Sequence, residues 1–146
     1  MVLTKFYDER TRPGMEEKKT IIEFLFKHLE QYGDKKEDIE KAVDFALKES
    51  QSFGGFVLVG SEHDKIVGAV VVNKTGMQGY IPENILVYIA THNQLRGKGI
   101  GKQLMQEAMD HAEGAIALHV EPDNPAKKLY EKLGFTNKYL EMRFVR

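Results

Sequence analysis

Two rhythms of apolar residues run along the chain. From Met15 to Tyr32, the residues Ile21, Ile22, Leu25, Phe26 and Leu29 recur at helical spacing, and Gly33 follows as a C′ residue that ends the helix. Asp34, with Glu37 three positions on, resembles a capping box and predicts a second helix with Ile39, Ala42, Val43, Ala46 and Leu47 on its apolar face. Elsewhere the residues favour strands. Val2–Tyr7 alternates loosely and is broken by Arg12-Pro13-Gly14; Phe56–Val59 and Lys65–Asn73 flank a turn at Glu62-His63-Asp64 and predict an antiparallel hairpin. Thr75–Pro82 is a loop by its glycines and proline, and Ile85–Thr91 is apolar on both faces, as a central strand would be. A third helix carries Leu104, Met105, Ala108, Met109 and Ala112. It is followed by a strand over Ala115–Val120, then a helix begun at Pro125, carrying Leu129, Tyr130 and Leu133 and ended by Gly134. Phe135–Val145 predicts a last strand or two short ones. The order β-α-α-β-β-β-α-β-α-β predicts one α/β (α+β) domain over residues 1–146, a mixed sheet with helices on both faces.

Composition narrows the function classes. The 21 basic and 22 acidic residues nearly cancel, so no basic field marks the chain as a nucleic-acid binder. Cysteine is absent, which excludes disulfides, thiolate metal sites and a cysteine acyl-enzyme, and fits a cytoplasmic protein. The start, MVLTKFYDERTRPG, has no apolar core of a signal peptide, and no apolar run is long enough to span a bilayer. The five histidines show no metal spacing.

The strand Ile85–Thr91 leads into the turn Arg96-Gly97-Lys98-Gly99-Ile100-Gly101-Lys102, which opens directly into the third helix. Three glycines let successive backbone N–H groups point into one concavity. The first N–H groups of a helix are unpaired and its dipole favours anions, so turn and helix together suit a phosphate or pyrophosphate. Arg96, Lys98 and Lys102 add positive charge. A dinucleotide fingerprint fails because Lys102 stands where its third glycine belongs. A Walker A loop fails because Arg96 replaces its first glycine and Gln103 its hydroxyl residue.

The pattern that fits is R-x-x-G-x-G, as Arg96-Gly97-Lys98-Gly99-Ile100-Gly101 between a strand and a helix. Downstream, Leu118-His119-Val120, Asn124 and Leu129-Tyr130-Glu131-Lys132-Leu133-Gly134-Phe135 follow in order. With these two motifs the stretch Ile85–Phe135 resembles the GCN5-related N-acetyltransferase (GNAT) superfamily. The resemblance implies a mostly antiparallel sheet of six to seven strands with a splayed parallel pair, flanked by four helices. It implies acetyl-CoA as acyl donor, with no metal, and direct transfer to a primary amine of a small molecule or peptide.

It also implies a site. The pyrophosphate would lie on the N–H groups of Arg96, Gly97, Lys98, Gly99, Ile100, Gly101 and Lys102. The pantetheine arm would pair with the backbone of Ile89, Ala90 and Thr91, where a backbone N–H near Ile89 or Ala90 also receives the thioester oxygen. Asn124 would bond the arm or position the helix, and Tyr130 would protonate the leaving thiolate. For the base, the expectation is Glu83 acting through water, with Glu121 second and His119 a surface or packed imidazole. Tyr32, Tyr80, Glu30, Asp34 and Glu83 are candidates to line a cleft for a cationic amine. The chain has only eleven residues after Phe135, so a second subunit is expected to complete the sheet edge in a homodimer. A CoA-binding regulatory module without turnover is the alternative, which the retained Tyr130 argues against.

Overall fold

The computed structural model describes residues Met1–Arg146. Its sheet has five strands in the order β1-β2-β3-β4-β5: β1 (Leu3–Tyr7), β2 (Gly55–Glu62), β3 (Lys65–Lys74), β4 (Asn84–Thr91) and β5 (Ile116–Leu118). The first four pair antiparallel, and β5 lies parallel to β4. Helices α1 (Met15–Leu29), α2 (Lys36–Leu47), α3 (Ile100–His111) and α4 (Ala126–Lys132) complete the chain. No helix is long and apolar enough to cross a membrane.

The alternation of β2 and β3 builds a core on each face. Val57, Val59, Ala69 and Val71 meet Ile21, Leu25, Ile39, Val43 and Leu47 of α1 and α2. Phe56, Leu58, Val70 and Val72 meet Leu104, Met105 and Ala108 of α3, with Tyr130 of α4. The β2–β3 contact is closest at Gly55, where a Cβ would stand 1.9 Å from the Val72 carbonyl oxygen. That oxygen belongs to a backbone held in the ladder and has no room to retreat. Gly55→Ala is therefore expected to cost about 3 kcal/mol or more, lowering the melting temperature by roughly 10 °C in a calorimetric scan.

The structure departs from the sequence expectations in four places. The sheet has five strands, not six or seven, because residues 136–146 form no strand: Tyr139, Leu140, Met142, Phe144 and Val145 lie 76–91% exposed. The strand expected over Ala115–Val120 shortens to three residues, the length over which β4 pairs with it. Gly33 does not directly end α1, which stops at Leu29; at φ −97° it closes a 3₁₀ turn, Glu30–Tyr32, and it is glycine because a Cβ would stand 2.7 Å from Leu29 Cβ. Asp34 does not cap α2, which starts behind Lys35 with no side-chain cap; its Oδ2 instead accepts the Tyr88 hydroxyl at 2.6 Å.

Candidate functional site

The site begins with a fork in the sheet. The β4–β5 ladder covers Asn84–Ile116, Ile85–Ala117 and Leu86–Leu118, then stops. On its other edge β4 stays paired with β3 as far as Thr91, across a bulge: Leu86 faces Val72, Tyr88 faces Val71, and Val87 is the extra residue. A bulge bends its strand and increases the local twist. It also reverses the side-chain phase, so Leu86 joins the α3 core while Tyr88 and Ala90 join the α1–α2 core. Past Leu86 the β5-facing backbone of β4, which includes Ile89, Ala90 and Thr91, has no strand partner. A pocket of about 60 Å³ opens in the fork, with Leu29, Tyr32, Tyr88, His119, Asn124 and Tyr130 among its walls.

The glycine turn lies at the end of the same strand. A Cβ built on Gly101 would stand 3.6 Å from Thr91 Cγ2 and 3.5 Å from Leu129 Cδ2, so turn, strand end and α4 adjoin. Gly97 and Gly99 both take φ 83°, and a Cβ on either would meet nothing within 4 Å. Their glycines answer a backbone requirement, and the space above them is open. The first helical hydrogen bond of α3 runs from the Gln103 N–H to the Gly99 carbonyl, and Gly99 supplies no side-chain cap. No hydrogen bond within the chain uses the N–H groups of Arg96 through Lys102, seven in succession. Such a run of unpaired donors at a helix start is an anion cradle. The exposed Lys98 and Lys102 form no ion pair.

Arg96 does not face the cradle with its guanidinium. It donates to the Glu30 carboxylate at 2.8 Å and to the His28 carbonyl at 2.9 Å, so the side chain is committed to α1 and only its N–H remains with the turn. Tyr130 is buried, and its hydroxyl makes no hydrogen bond within the chain; burial pushes its pKa up to about 12. The phenol therefore holds its proton at neutral pH. Asn124 Oδ1 accepts the Ala126 N–H at 2.9 Å, which fixes the start of α4 and with it Tyr130.

Glu83 is not brought to this pocket. It precedes β4 on the paired side of the fork, about 10 Å of strand before Leu86, and lines a separate pocket with Phe53, Lys74 and Glu113. Its Oε1 accepts the Ala115 N–H at 2.9 Å, and that hydrogen bond lowers its pKa, which makes it a weaker base. Glu121 is exposed beyond β5, whereas His119 lines the fork pocket. Of the groups expected at the acceptor cleft, Tyr32 lines the pocket and Asp34 reaches it through Tyr88; Tyr80 is 80% exposed and Glu30 is paired with Arg96.

Sequence reasoning missed the bulge at Val87, the Tyr88–Asp34 pair and the role of His28. The last left a signal: His28 follows Ile21 and Leu25 on the apolar stripe of α1, where a polar ring needs a partner.

Comparison with known proteins agrees with this arrangement. Residues 53–137 match the family profile described as an acetyltransferase (GNAT) domain. Over 85 residues the chain is 33% identical to N-alpha-acetyltransferase 30 of Schizosaccharomyces pombe, a match covering 55% of this chain and 57% of that protein. The chain thus spans little more than half of that relative. Among solved structures, a GNAT-family acetyltransferase from Streptococcus pneumoniae superposes with a TM-score of 0.70 at 17% identity, over 100% of this chain and 98% of the other. A transcriptional regulator from Bacillus halodurans gives 0.70 at 21% identity, over 99% and 100%. At such identities these two establish the fold alone. With its family profile, forked sheet and glycine turn taken together, the chain belongs to the GNAT acetyltransferase domain family.

Proposed function

We propose that residues 1–146 are a single acetyl-CoA-dependent N-acetyltransferase domain that transfers the acetyl group directly to a primary amine of a small molecule or peptide. The observation that carries this reading is the continuity of three unsatisfied features. They are the seven free N–H groups of the turn, the unpaired edge of β4 beyond Leu86, and the partnerless Tyr130 hydroxyl. A pyrophosphate suits the first. A peptide-like arm suits the second, since an exposed strand edge takes up extended amides by backbone pairing. When bound, acetyl-CoA supplies the acetyl group activated as a thioester.

In this reading the backbone of Ile89, Ala90 and Thr91 orients the arm, and an N–H near Ile89 or Ala90 supports negative charge on the thioester oxygen. Asn124 holds α4 in place. Tyr130 keeps a proton on its hydroxyl and gives it to the sulfur as that bond breaks. The incoming amine must lose a proton, and His119 is the imidazole lining the same pocket. Asp34, held by Tyr88, places a carboxylate beside the pocket that attracts an ammonium group before it is deprotonated. The fission-yeast relative is named an N-alpha-acetyltransferase, which supports a peptide amine within the acceptor class.

Thermal melting tests the donor. At a hundredfold excess over its dissociation constant, acetyl-CoA is expected to stabilise the fold by about 2.7 kcal/mol, a rise of roughly 5–10 °C, whereas NAD leaves the melting temperature unchanged. A shift with NAD and none with acetyl-CoA would overturn the reading. An amine panel followed by release of free CoA to a thiol reagent then identifies the acceptor; the protein has no cysteine to add background.

A further inference from the structure

Four titratable side chains meet where the end of α1 touches the residues leading into the glycine turn. His28 is 4% exposed, and its Nδ1 accepts the Asn93 N–H at 3.0 Å. Its ring lies 4.3 Å from that of His92 and 4.5 Å from that of Phe24. Arg96 closes the cluster by donating to the His28 carbonyl and to Glu30. Glu30 holds φ 55° and ψ −131°, a backbone conformation that favours glycine, at the point where its carboxylate meets Arg96. The segment from Asn93 to Arg96 is thus tied at one end to His28 of α1 and at the other to His28 and to Glu30, the residue that caps α1, and the anion cradle begins at its last residue.

We propose that His28 is a positioning residue for the donor site: its neutral imidazole latches the cradle to α1 through the Asn93 N–H, and protonation of the ring releases the latch. The proposal rests on the donor reading above. A neutral histidine that accepts at Nδ1 carries its proton on Nε2. A second proton on Nδ1 sets two donors against each other across 3.0 Å, and the hydrogen bond is lost. The groups facing the ring are His92 and Arg96 from the turn segment, with Lys27 from α1 and Glu30 from the 3₁₀ turn that follows it. Burial first, then the charges of His92, Lys27 and Arg96, hold the His28 pKa below the ordinary histidine value, with Glu30 opposing. A lowered folded-state value means the latch is intact above the unfolded pKa of about 6.5 and is lost as pH falls through the folded one. The end of α1 and the 3₁₀ turn after it contribute Leu29 and Tyr32 to the fork pocket, so releasing them loosens the donor cradle and the acceptor wall together.

The test is acetyl-CoA affinity by calorimetry on the full chain between pH 5.5 and 8, for wild type, His28→Asn and His28→Phe. Asparagine keeps an acceptor at the Nδ1 position and does not titrate; phenylalanine keeps the ring volume and accepts nothing. Acetyl-CoA has titrating phosphates of its own, so the difference between wild type and His28→Asn isolates the latch. Wild type is expected to bind roughly three- to tenfold more weakly at the acid end than His28→Asn, with the two converging above pH 7. His28→Phe is expected to be weaker by a similar factor at every pH. Equal affinity of His28→Phe and wild type at pH 8, or parallel pH profiles for wild type and His28→Asn, overturns the proposal.

A second measurement needs neither ligand nor variant. In the free wild-type protein the Asn93 amide NMR resonance should shift with the His28 titration, and an Asn93 amide indifferent to that titration also overturns the latch. Wild type that binds no acetyl-CoA at any pH removes the donor reading, while the Asn93 amide still decides the latch.

Discussion

Tyr130→Phe is expected to lower kcat about 100-fold while acetyl-CoA affinity stays within about twofold. The substitution removes one oxygen and leaves the ring, which is buried in the α3 core and packs 6.1 Å from Phe135. The hydroxyl makes no hydrogen bond that holds the fold together, so the variant should melt close to wild type. What it loses, on the proposed function, is the donor that meets a departing sulfur in the fork pocket. A thiol has an ordinary pKa of about 8.5, and the buried phenol sits higher, at about 12. In the proposed mechanism the proton transfer is therefore assistance while the sulfur leaves, with the phenol regaining its proton from water afterwards. Because Tyr130 stays protonated to about pH 12, an alkaline limb between pH 7 and 10 in the rate profile belongs to another group. Steady-state release of free CoA measures all of this. An unchanged kcat would take Tyr130 out of the mechanism and leave the non-catalytic CoA-binding reading standing.

Gly99→Ala is expected to weaken acetyl-CoA binding tenfold or more while the protein stays folded. Gly99 sits at φ 83°, where a side chain costs roughly 1–2 kcal/mol. Nothing in the protein contests the added Cβ, since no heavy atom lies within 4 Å. The backbone can relax toward negative φ, and relaxing turns the N–H groups out of their shared direction. If it does not relax, the methyl stands in the open concavity itself. Both routes tax the bound anion, and 1.4 kcal/mol is already a factor of ten in affinity. Calorimetric titration with acetyl-CoA reads the loss, and circular dichroism at the titration temperature establishes that α3 remains. Wild-type affinity in a folded Gly99→Ala protein would show that the cradle does not hold the donor.

What was legible in the sequence was local. Gly97 and Gly99 advertise their backbone requirement, and Tyr130 lies in a motif whose spacing is set by one short helix. The two-helix hairpin and the order of the first five strands followed from periodicity. The rest depended on partners distant in sequence. The bulge at Val87 exists only in relation to Val71 and Val72 across the ladder, so a strand apolar on both faces concealed a reversal of phase. Asp34 and Glu37 carry the letters of a capping box, yet Tyr88, 54 residues away, takes the carboxylate. Arg96 carries a phosphate-binder's charge and spends it on Glu30. Glu83 has a base's chemistry, but whether a strand-end carboxylate faces the cleft depends on where the neighbouring strand begins, and here it fastens to Ala115.

The short β5 has one further consequence. It is the last strand of the sheet, three residues long, paired on one side only, and the same chain carries five large apolar residues in the open between Tyr139 and Val145. A free strand edge is a template for any extended segment with unsatisfied amides, including one from a neighbouring molecule. Glu141 and Arg143 interrupt that apolar run, Lys138 and Arg146 flank it, and all four act as charged gatekeepers. Substitutions that neutralise those charges are therefore expected to favour aggregation at high concentration, which light scattering reads.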